Sequence, residues 1–353
     1  MPDKNCPNCR TKMKKDGFNI PYEPLFGMDG EKEPVIDLNI PPSMFDECCK
    51  YLQDLLGKCR ICRAGTVCTL SDKRAKFYIR EFEERMGERL SCAERENAQN
   101  LLCGAVYTNG LCPGGLLIAP EGTRITDYTP LWHTDMPDGL LGSHFSYHDL
   151  WDELFKFDIL THDAPEMLKV LEDLTGVKPA EIPLDDKKTI GSFQNIDTAG
   201  IPEFASPYVQ NMMHIAQPKC FDDLIRISAL SHGTGAWKDN AEELIKEHKA
   251  ELSEVISCRD DVFLTLLKYG IDRQAAYMIS ERIRKGKGLS DNDIKLVERH
   301  GIPAWFIASC QKIMYLFPRA HAAVYTLMAY RIAYCKAHYP TEFAKALKEI
   351  EGK

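Results

Sequence analysis

A chain of 353 residues with 44% hydrophobic residues is long enough to build two or three domains with substantial cores. The formal net charge of −8 argues against a protein whose whole surface coats DNA, although a local basic stripe still suffices to bind nucleic acid. No run of eighteen apolar residues occurs, so no membrane span is predicted.

Fourteen cysteines are present, and the first residues lack the apolar stretch of a signal peptide. This combination predicts reduced thiols in the cytoplasm rather than a disulfide framework. Cys6 and Cys9 form one CxxC pair, and Cys59 and Cys62 form a second. Two such pairs are able to close a tetrahedral zinc site, although a gap of about fifty residues is longer than in compact zinc ribbons.

Along the chain, a polar segment at 1–33 is followed by a region in which short apolar runs alternate with helical patterns. This region, 34–165, is predicted to form a compact mixed domain. Its predicted strands are 35–40, 65–70, 115–120 and 155–160, and its predicted helices are 44–56 and 72–96.

From residue 166 onward the pattern is mainly helical. One predicted helix, 166–175, precedes a connector rich in Pro, Asp and Gly that reaches residue 207. Glycines then separate further helices, and the last long one is predicted at 320–338, before Pro340. The predicted fold class is therefore α+β, with a mixed sheet domain followed by a helical domain at 166–353.

Two acids stand inside apolar strand patterns, Asp37 in PVIDLNI and Asp158 in LFKFDIL. A buried carboxylate is costly without a cation, so this setting favours a metal site, although both acids also suit ordinary strand ends. Two-metal chemistry generally needs a third acid, and strand pleating would place it two residues before Asp37. That position holds Val35.

Two further segments carry groups that suit phosphate binding. Gly114 and Gly115 lie in a glycine-rich turn whose backbone N–H groups are able to cradle a phosphate, although a plain hairpin connection explains them equally well. Lys73 follows a strand of small residues, beside a helix N-cap at Ser71 or Asp72, where a structural junction is the alternative.

The basic signals cluster in the helical half. Arg259 is followed by two acids, Asp260 and Asp261, so a local ion pair is expected by default. Four cations surround glycines in RIRKGKGL and suit contacts with a phosphate backbone, unless the segment is a solvated loop. They are Arg282, Arg284, Lys285 and Lys287.

Ten short motifs follow one another along the chain: PDKNCPNC, VIDLN, RAGT, PGG, LFKFDILTHD, GIPEF, ISALSHGTGAW, LSEVISCRDD, RIRKGKGL and FPRAHAAVYTLMAYRIAY. In this order they resemble the catalytic core of the PolC-type DNA polymerase III alpha subunit of low-GC Gram-positive bacteria. The resemblance covers nearly the whole chain. It implies a palm with the polymerase-β-like nucleotidyltransferase fold at 34–165, followed by an α-helical fingers domain at 166–353.

The resemblance also implies roles for residues. In that family three palm aspartates hold two Mg²⁺ ions for template-directed DNA synthesis, and Asp37 and Asp158 match two of them. Val35 replaces the third. The family's His-Pro-Gly-Gly becomes Cys-Pro-Gly-Gly here. The resemblance implies that Arg259, Gly114, Gly115 and Lys73 bind the nucleotide. It implies that Arg282, Arg284, Lys285 and Lys287 bind DNA.

Because the third carboxylate is missing, we expect slow or absent DNA synthesis. Glu33 precedes Pro34 and is poorly placed to replace that carboxylate. The expected partners are DNA primer-template and deoxynucleoside triphosphates in a bacterial cytoplasm, and the family's clamp-binding region falls outside this sequence. Two alternatives stay open: a non-catalytic or vestigial nucleic-acid-binding protein, and one piece of a split polymerase completed by another chain.

Overall fold

In the computed structural model of this chain, the described residues are 5, 8–11, 18, 20–34 and 36–352. The chain divides into two compact units. The sheet unit spans Val35–His162, and the helical unit combines Met1–Pro34 with Asp163–Lys353. The predicted α+β class, a mixed sheet with helices and a separate helical domain, is confirmed.

The described residues of the sheet unit form one six-stranded sheet. Its strands are β1 (Ile36–Ile40), β2 (Ile61–Thr69), β3 (Val106–Ile118), β4 (Leu131–Trp132), β5 (Gly142–Ser143) and β6 (Phe155–Thr161). Their order is β1-β6-β3-β2-β5-β4. The β1–β6 and β2–β5 pairs are parallel, and the others are antiparallel. The first and last strands along the chain are therefore neighbours.

Fifteen α-helices lie in the described residues: α1 (Tyr22–Phe26), α2 (Phe45–Leu56), α3 (Asp72–Met86), α4 (Cys92–Leu102), α5 (Asp163–Thr175), α6 (Lys187–Gln194), α7 (Pro207–Ala216), α8 (Phe221–His232), α9 (Glu242–Lys246), α10 (Arg259–Lys268), α11 (Arg273–Arg284), α12 (Asp291–Arg299), α13 (Ala304–Lys312), α14 (Arg319–His338) and α15 (Pro340–Glu351). Short 3₁₀ turns occupy Pro42–Met44, Lys58–Arg60, Ile125–Asp127, Tyr147–Leu150 and Pro179–Glu181.

Apolar side chains cover both faces of the central strands. On one face, Ile61, Leu116 and Ile159 form a buried cluster with side chains of α2. On the other, Cys62 and Leu117 belong to a second buried cluster. Successive residues of a strand point to opposite faces, so Leu116 and Leu117 serve different clusters. Burial on both faces explains why these strands appear in the sequence as continuous apolar runs.

The single helix predicted at 72–96 is wrong, because the structure has two helices there. α3 ends at Met86 and is capped by Gly87, whose φ of 70° lies in the left-handed region that favours glycine. α4 begins after Ser91, whose side chain accepts from the Glu94 N–H while the Glu94 carboxylate accepts from the Ser91 N–H. This capping box was the sequence signal for a new helix.

The glycine-rich segment at 108–115 is a second correction. It was predicted as a turn leading into a strand, but β3 runs through it from Val106 to Ile118. The register against β2 shifts between Arg63 and Gly65, which marks an irregularity in the pairing. A strand interrupted in this way tolerates Pro113 and Gly114, which would otherwise weaken it.

The helical unit is organised around α14, which packs against α5, α6, α8 and α15. The Tyr330 ring is buried and contacts Phe193 and Phe221. Its hydroxyl accepts from the Asp186 backbone N–H at 3.1 Å, which ties α14 to the start of α6. None of the helices in the described part of the chain is long and apolar enough to cross a membrane.

A stability prediction follows from a buried ion pair in the sheet unit. Arg63 Nε donates to Asp138 Oδ2 at 2.9 Å, and both side chains are almost fully buried. Asp138→Asn removes the charge and leaves the guanidinium uncompensated, so it should lower the stability of the sheet unit by about 3–5 kcal/mol. Hydrogen–deuterium exchange of the β2 and β3 amides measures the change.

The matched control is Lys76→Gln, which breaks an exposed ion pair with Asp72 in the same unit. It should cost less than about 1 kcal/mol. Equal effects of the two substitutions would contradict the assignment of Arg63–Asp138 as a structural pair.

Candidate active site

Asp37 and Asp158 lie side by side in the sheet unit. Strands β1 and β6 run parallel, and their register pairs Asp37 with Asp158. Paired residues of neighbouring strands project to the same face, so both carboxylates lie on one face of the sheet. Asp37 is half-buried, and only 13% of the Asp158 side chain is exposed. The sequence indicated two separate acids, and the strand order brings them together.

Lys156 lies on the same face, two residues before Asp158. Its Nζ donates to Asp158 Oδ1 at 2.6 Å and also to the second carboxylate oxygen. The same Nζ lies 5.0 Å from the centroid of the Tyr147 ring. The charge of Asp158 is therefore compensated by a resident cation. Sequence reasoning missed Lys156, although the two-residue spacing in FKFDIL was a usable signal.

Gly115 lies beside Asp158 on a third strand, because the register of β3 and β6 pairs the two residues. A Cβ on Gly114, whose φ is 75°, would lie 2.1 Å from the carbonyl oxygen of Ile159. A Cβ on Gly115 would lie 3.0 Å from the Cβ atom of Ala64. Both glycines thus permit close packing of β3, which is a structural role; phosphate binding by them stays a prediction.

Asp37 and Asp158 supply carboxylate oxygens, which are the ligands of the Mg²⁺ that the resemblance implies. Two carboxylates on one face suit Mg²⁺, which proteins usually hold through one or two carboxylates together with water and substrate phosphates. Within the ranges that the structure describes, no group of three or more His, Cys, Asp or Glu side chains is placed to hold a metal ion. Val35 lies outside the described residues, and its side chain carries no oxygen. The residues fit one Mg²⁺ shared with a substrate.

Lys73 does not join the carboxylates. It is exposed on α3, past the end of β2 at Thr69, which pairs with Val106. Gly115 instead packs near Ala64, five residues earlier in β2. Five residues span roughly 17 Å of strand, so Lys73 lies at the far end of the β2–β3 pair.

In the helical unit, Arg259 begins α10 and is only 5% exposed. Its Nη1 lies 3.2 Å from Glu281 Oε1 on α11. Arg284 Nη2 lies 3.0 Å from Oε2 of the same carboxylate. The buried Nε of Arg259 has no hydrogen-bond partner among the residues that the structure describes. An unpartnered buried donor of this kind points to a missing acceptor.

The expected local ion pair at Arg259 is wrong. Asp261 instead lies 3.1 Å from Arg226, and Asp260 accepts from the Arg319 backbone N–H. Residues adjacent in a helix project in different directions, so neither acid forms an ion pair with Arg259, although its charge opposes the rise that burial causes in the pKa of Asp260.

Lys32 belongs electrostatically to the same group, which sequence reasoning missed. Burial lowers the pKa of Lys32, and so does repulsion from three cations, Arg259, Arg284 and Lys285; the attraction of Glu281 opposes them. Burial alone would raise the pKa of Glu281, yet hydrogen bonding and its cationic neighbours lower it. Several cations share one carboxylate here, so the group has a positive surplus that suits a polyanion.

The remaining predicted DNA-binding cations are more exposed. Arg282 lies 3.4 Å from Asp293, while Lys285 and Lys287 are exposed just after α11. A solvated loop was the alternative for this segment, but a Cβ on Gly286 would lie 2.4 Å from the Met314 carbonyl oxygen. This segment is a packed turn that presents its lysines outward.

Three of the four cysteines of the predicted zinc site lie among the described residues. Cys6 lies outside the described residues, and Cys9 and Cys59 are exposed. Cys62 is completely buried in the second apolar cluster, and burial raises its pKa to about 12. Zinc binds thiolates, so a metal at Cys62 would have to displace the proton of a buried thiol, and zinc binding by these cysteines stays a prediction.

Comparisons with known proteins bear on both units. The family model described as bacterial DNA polymerase III alpha subunit finger domain matches residues 163–299. Three relatives named DNA polymerase III PolC-type come from Caldanaerobacter subterraneus subsp. tengcongensis, Thermotoga maritima and Listeria monocytogenes. Their identities to this chain are 44%, 41% and 40%, over 97%, 100% and 97% of its length.

The same alignments cover 26%, 27% and 25% of the relatives. The chain thus spans about a quarter of the length of the curated relatives it matches. Over that quarter, the chain belongs to the PolC-type DNA polymerase III family.

Proposed function

We propose that this chain forms the palm and fingers of a PolC-type DNA polymerase and takes part in nucleotidyl transfer from deoxynucleoside triphosphates to a DNA primer. The observation that carries this proposal is the register of β1 and β6, which sets Asp37 beside Asp158 on one sheet face. Such a pair is the protein's part of a magnesium-dependent site that acts on phosphate.

Asp37 and Asp158 would hold the metal. Bound Mg²⁺ supplies charge stabilisation to the oxygens of the reacting phosphate and lowers the pKa of an attacking hydroxyl. Lys156 holds the Asp158 carboxylate in one orientation, because its Nζ contacts both oxygens. A cation that binds Asp158 must therefore share this carboxylate with Lys156, which weakens the site.

Val35 weakens the site further. A third carboxylate would add metal charge stabilisation worth several kcal/mol, and a loss of that size corresponds to roughly a thousandfold in rate. We therefore propose that synthesis by this chain is slow compared with that of a palm with three acids.

The helical unit would bind the triphosphate. Arg259 is buried and held by Glu281, so its guanidinium is already positioned before an anion arrives. Arg284 and Lys32 add positive charge next to it. Arg282, Lys285 and Lys287 are exposed and suit contacts with DNA phosphates, which carry no sequence information.

Primer extension by the full chain tests the catalytic proposal. Val35→Asp restores the missing carboxylate, so it should raise the extension rate in Mg²⁺ by roughly a thousandfold over the unmodified chain. Adding Asp158→Asn to Val35→Asp should abolish the gain, because the restored acid then lacks its partner.

Three other outcomes would change this proposal. Fast extension by the unmodified chain would contradict the weakening assigned to Val35. Failure of both proteins, with extension restored by the other domains of a PolC relative, would favour a piece of a split polymerase. Failure even then, with primer-template binding retained, would favour a non-catalytic nucleic-acid-binding protein.

Titration with tripolyphosphate, monitored by calorimetry, tests the anion site. Arg259→Gln should weaken binding about tenfold or more, because it removes a buried charge-assisted donor. Glu281→Gln should tighten it, because the internal carboxylate no longer competes for Arg259 and Arg284. Arg282→Gln is the matched control, since Arg282 contacts Asp293 instead, and it should change affinity less than threefold. An equal loss in Arg282→Gln and Arg259→Gln would contradict the site.

A further inference from the structure

Residues 66–69 of β2 and 106–110 of β3 extend beyond the other strands of the sheet and form a two-stranded arm. β6 pairs with β3 only at Gly115–Ile118, whereas β2 pairs with β3 as far as Val106. Helices α3 and α4 connect the two strands and pack against each other. We use "the arm" for residues 66–110. A two-stranded ribbon of this kind has little stability of its own in water.

One surface of the arm is unusually basic. Of the first nine residues of α3, four are basic and one is acidic. Lys76 pairs with that acid, Asp72, in an exposed contact, but no ion pair is formed by Lys73 or Arg80 among the described residues. Lys73 and Arg74 lie in the first turn of the helix, where the helix dipole disfavours positive charge. The stability of α3 therefore does not account for them.

Aromatic rings lie among these cations. The guanidinium carbon of Arg74 lies 4.9 Å from the centroid of the Tyr107 ring on β3 and 5.9 Å from that of Tyr78. Arg74 Nη1 also donates to the Tyr107 hydroxyl at 3.3 Å. Phe77 is 55% exposed and lies one helical turn after Lys73. Tyr78 and Tyr107 are also exposed, so ring faces and cations occur together at this surface.

We propose that this surface, which we call the arm face, binds a single strand of nucleic acid. It comprises Lys73, Arg74, Lys76, Phe77, Arg80 and Tyr107. The cations suit the phosphates, and the rings suit stacking with bases, which is the combination used by proteins that bind single strands without sequence preference. The arm face is separate from Asp37 and Asp158, which lie toward the other end of the β2–β3 pair.

A single strand fits these observations better than a protein does. Acidic protein partners would use the cations but gain little from an arginine stacked on a tyrosine, whereas bases stack on both. The groove between α3 and α4, lined by apolar residues such as Phe82 and Leu102, is a different surface.

Fluorescence anisotropy with a labelled twenty-nucleotide deoxythymidine strand tests the proposal on the full chain. Lys73→Gln combined with Arg80→Gln should weaken binding about tenfold and lower the log–log salt slope by about 1.4, since each lost phosphate contact contributes about 0.7 for single strands. Tyr107→Ala should weaken binding about fivefold or more without changing the salt slope, because stacking does not release counterions.

Two matched controls separate the arm face from a general charge effect. Arg85→Gln combined with Arg89→Gln removes the same charge at and just after the end of α3, and Tyr51→Ala removes an exposed ring from α2. Both should bind the strand as the unmodified chain does. Circular dichroism checks the fold of each variant.

The proposal would be overturned if the unmodified chain failed to bind the strand, or if the controls lost as much affinity as the arm-face variants. Retained primer extension with lost strand binding would support the arm face independently of the catalytic proposal. The surface would be reassigned to a protein partner if the chain bound an acidic peptide instead of the strand, and if the arm-face variants weakened peptide binding while the controls did not.

Discussion

The close approach of β3 to β6 constrains the sheet face that carries Asp37 and Asp158. A side chain at Gly114 would meet the carbonyl oxygen of Ile159, which is the residue after Asp158. β6 in turn aligns β1, so the position of Asp37 depends on the same contact. The two carboxylates are therefore held by backbone packing across three strands, and not by contacts between their own side chains alone.

Much of this fold was predictable because its signals are local. The strand at 155–160 and the helix at 320–338 follow from apolar patterning and from the proline after the helix. The break between α3 and α4 was also encoded locally, in Gly87 and in the Ser91–Glu94 capping box, and was overlooked. The course of β3 was harder to predict, because Pro113 and Gly114 resemble a turn until the neighbouring strand is known.

The candidate site was predictable only in part, because its geometry is non-local. Asp37 and Asp158 were recognised as unusual acids, yet nothing in either segment indicates that β1 and β6 pair. Arg259 illustrates the opposite error, since adjacent acids suggested a local partner while the carboxylate that holds it, Glu281, comes from the next helix. Lys32 carried no signal, because a lysine between two glutamates is ordinarily a solvated charge.

The neighbouring positions of β1 and β6 have a consequence for how the protein folds. All the other strands of the sheet unit lie between these two in the sequence, so their parallel pairing closes the longest loop in the unit. Contacts of such large sequence separation form slowly, because chain entropy is lost before they contribute stability. Asp37 and Asp158 are thus expected to stay apart while the chain is translated and during its early collapse. A divalent ion that needs both acids therefore depends on this slow, non-local pairing of β1 with β6.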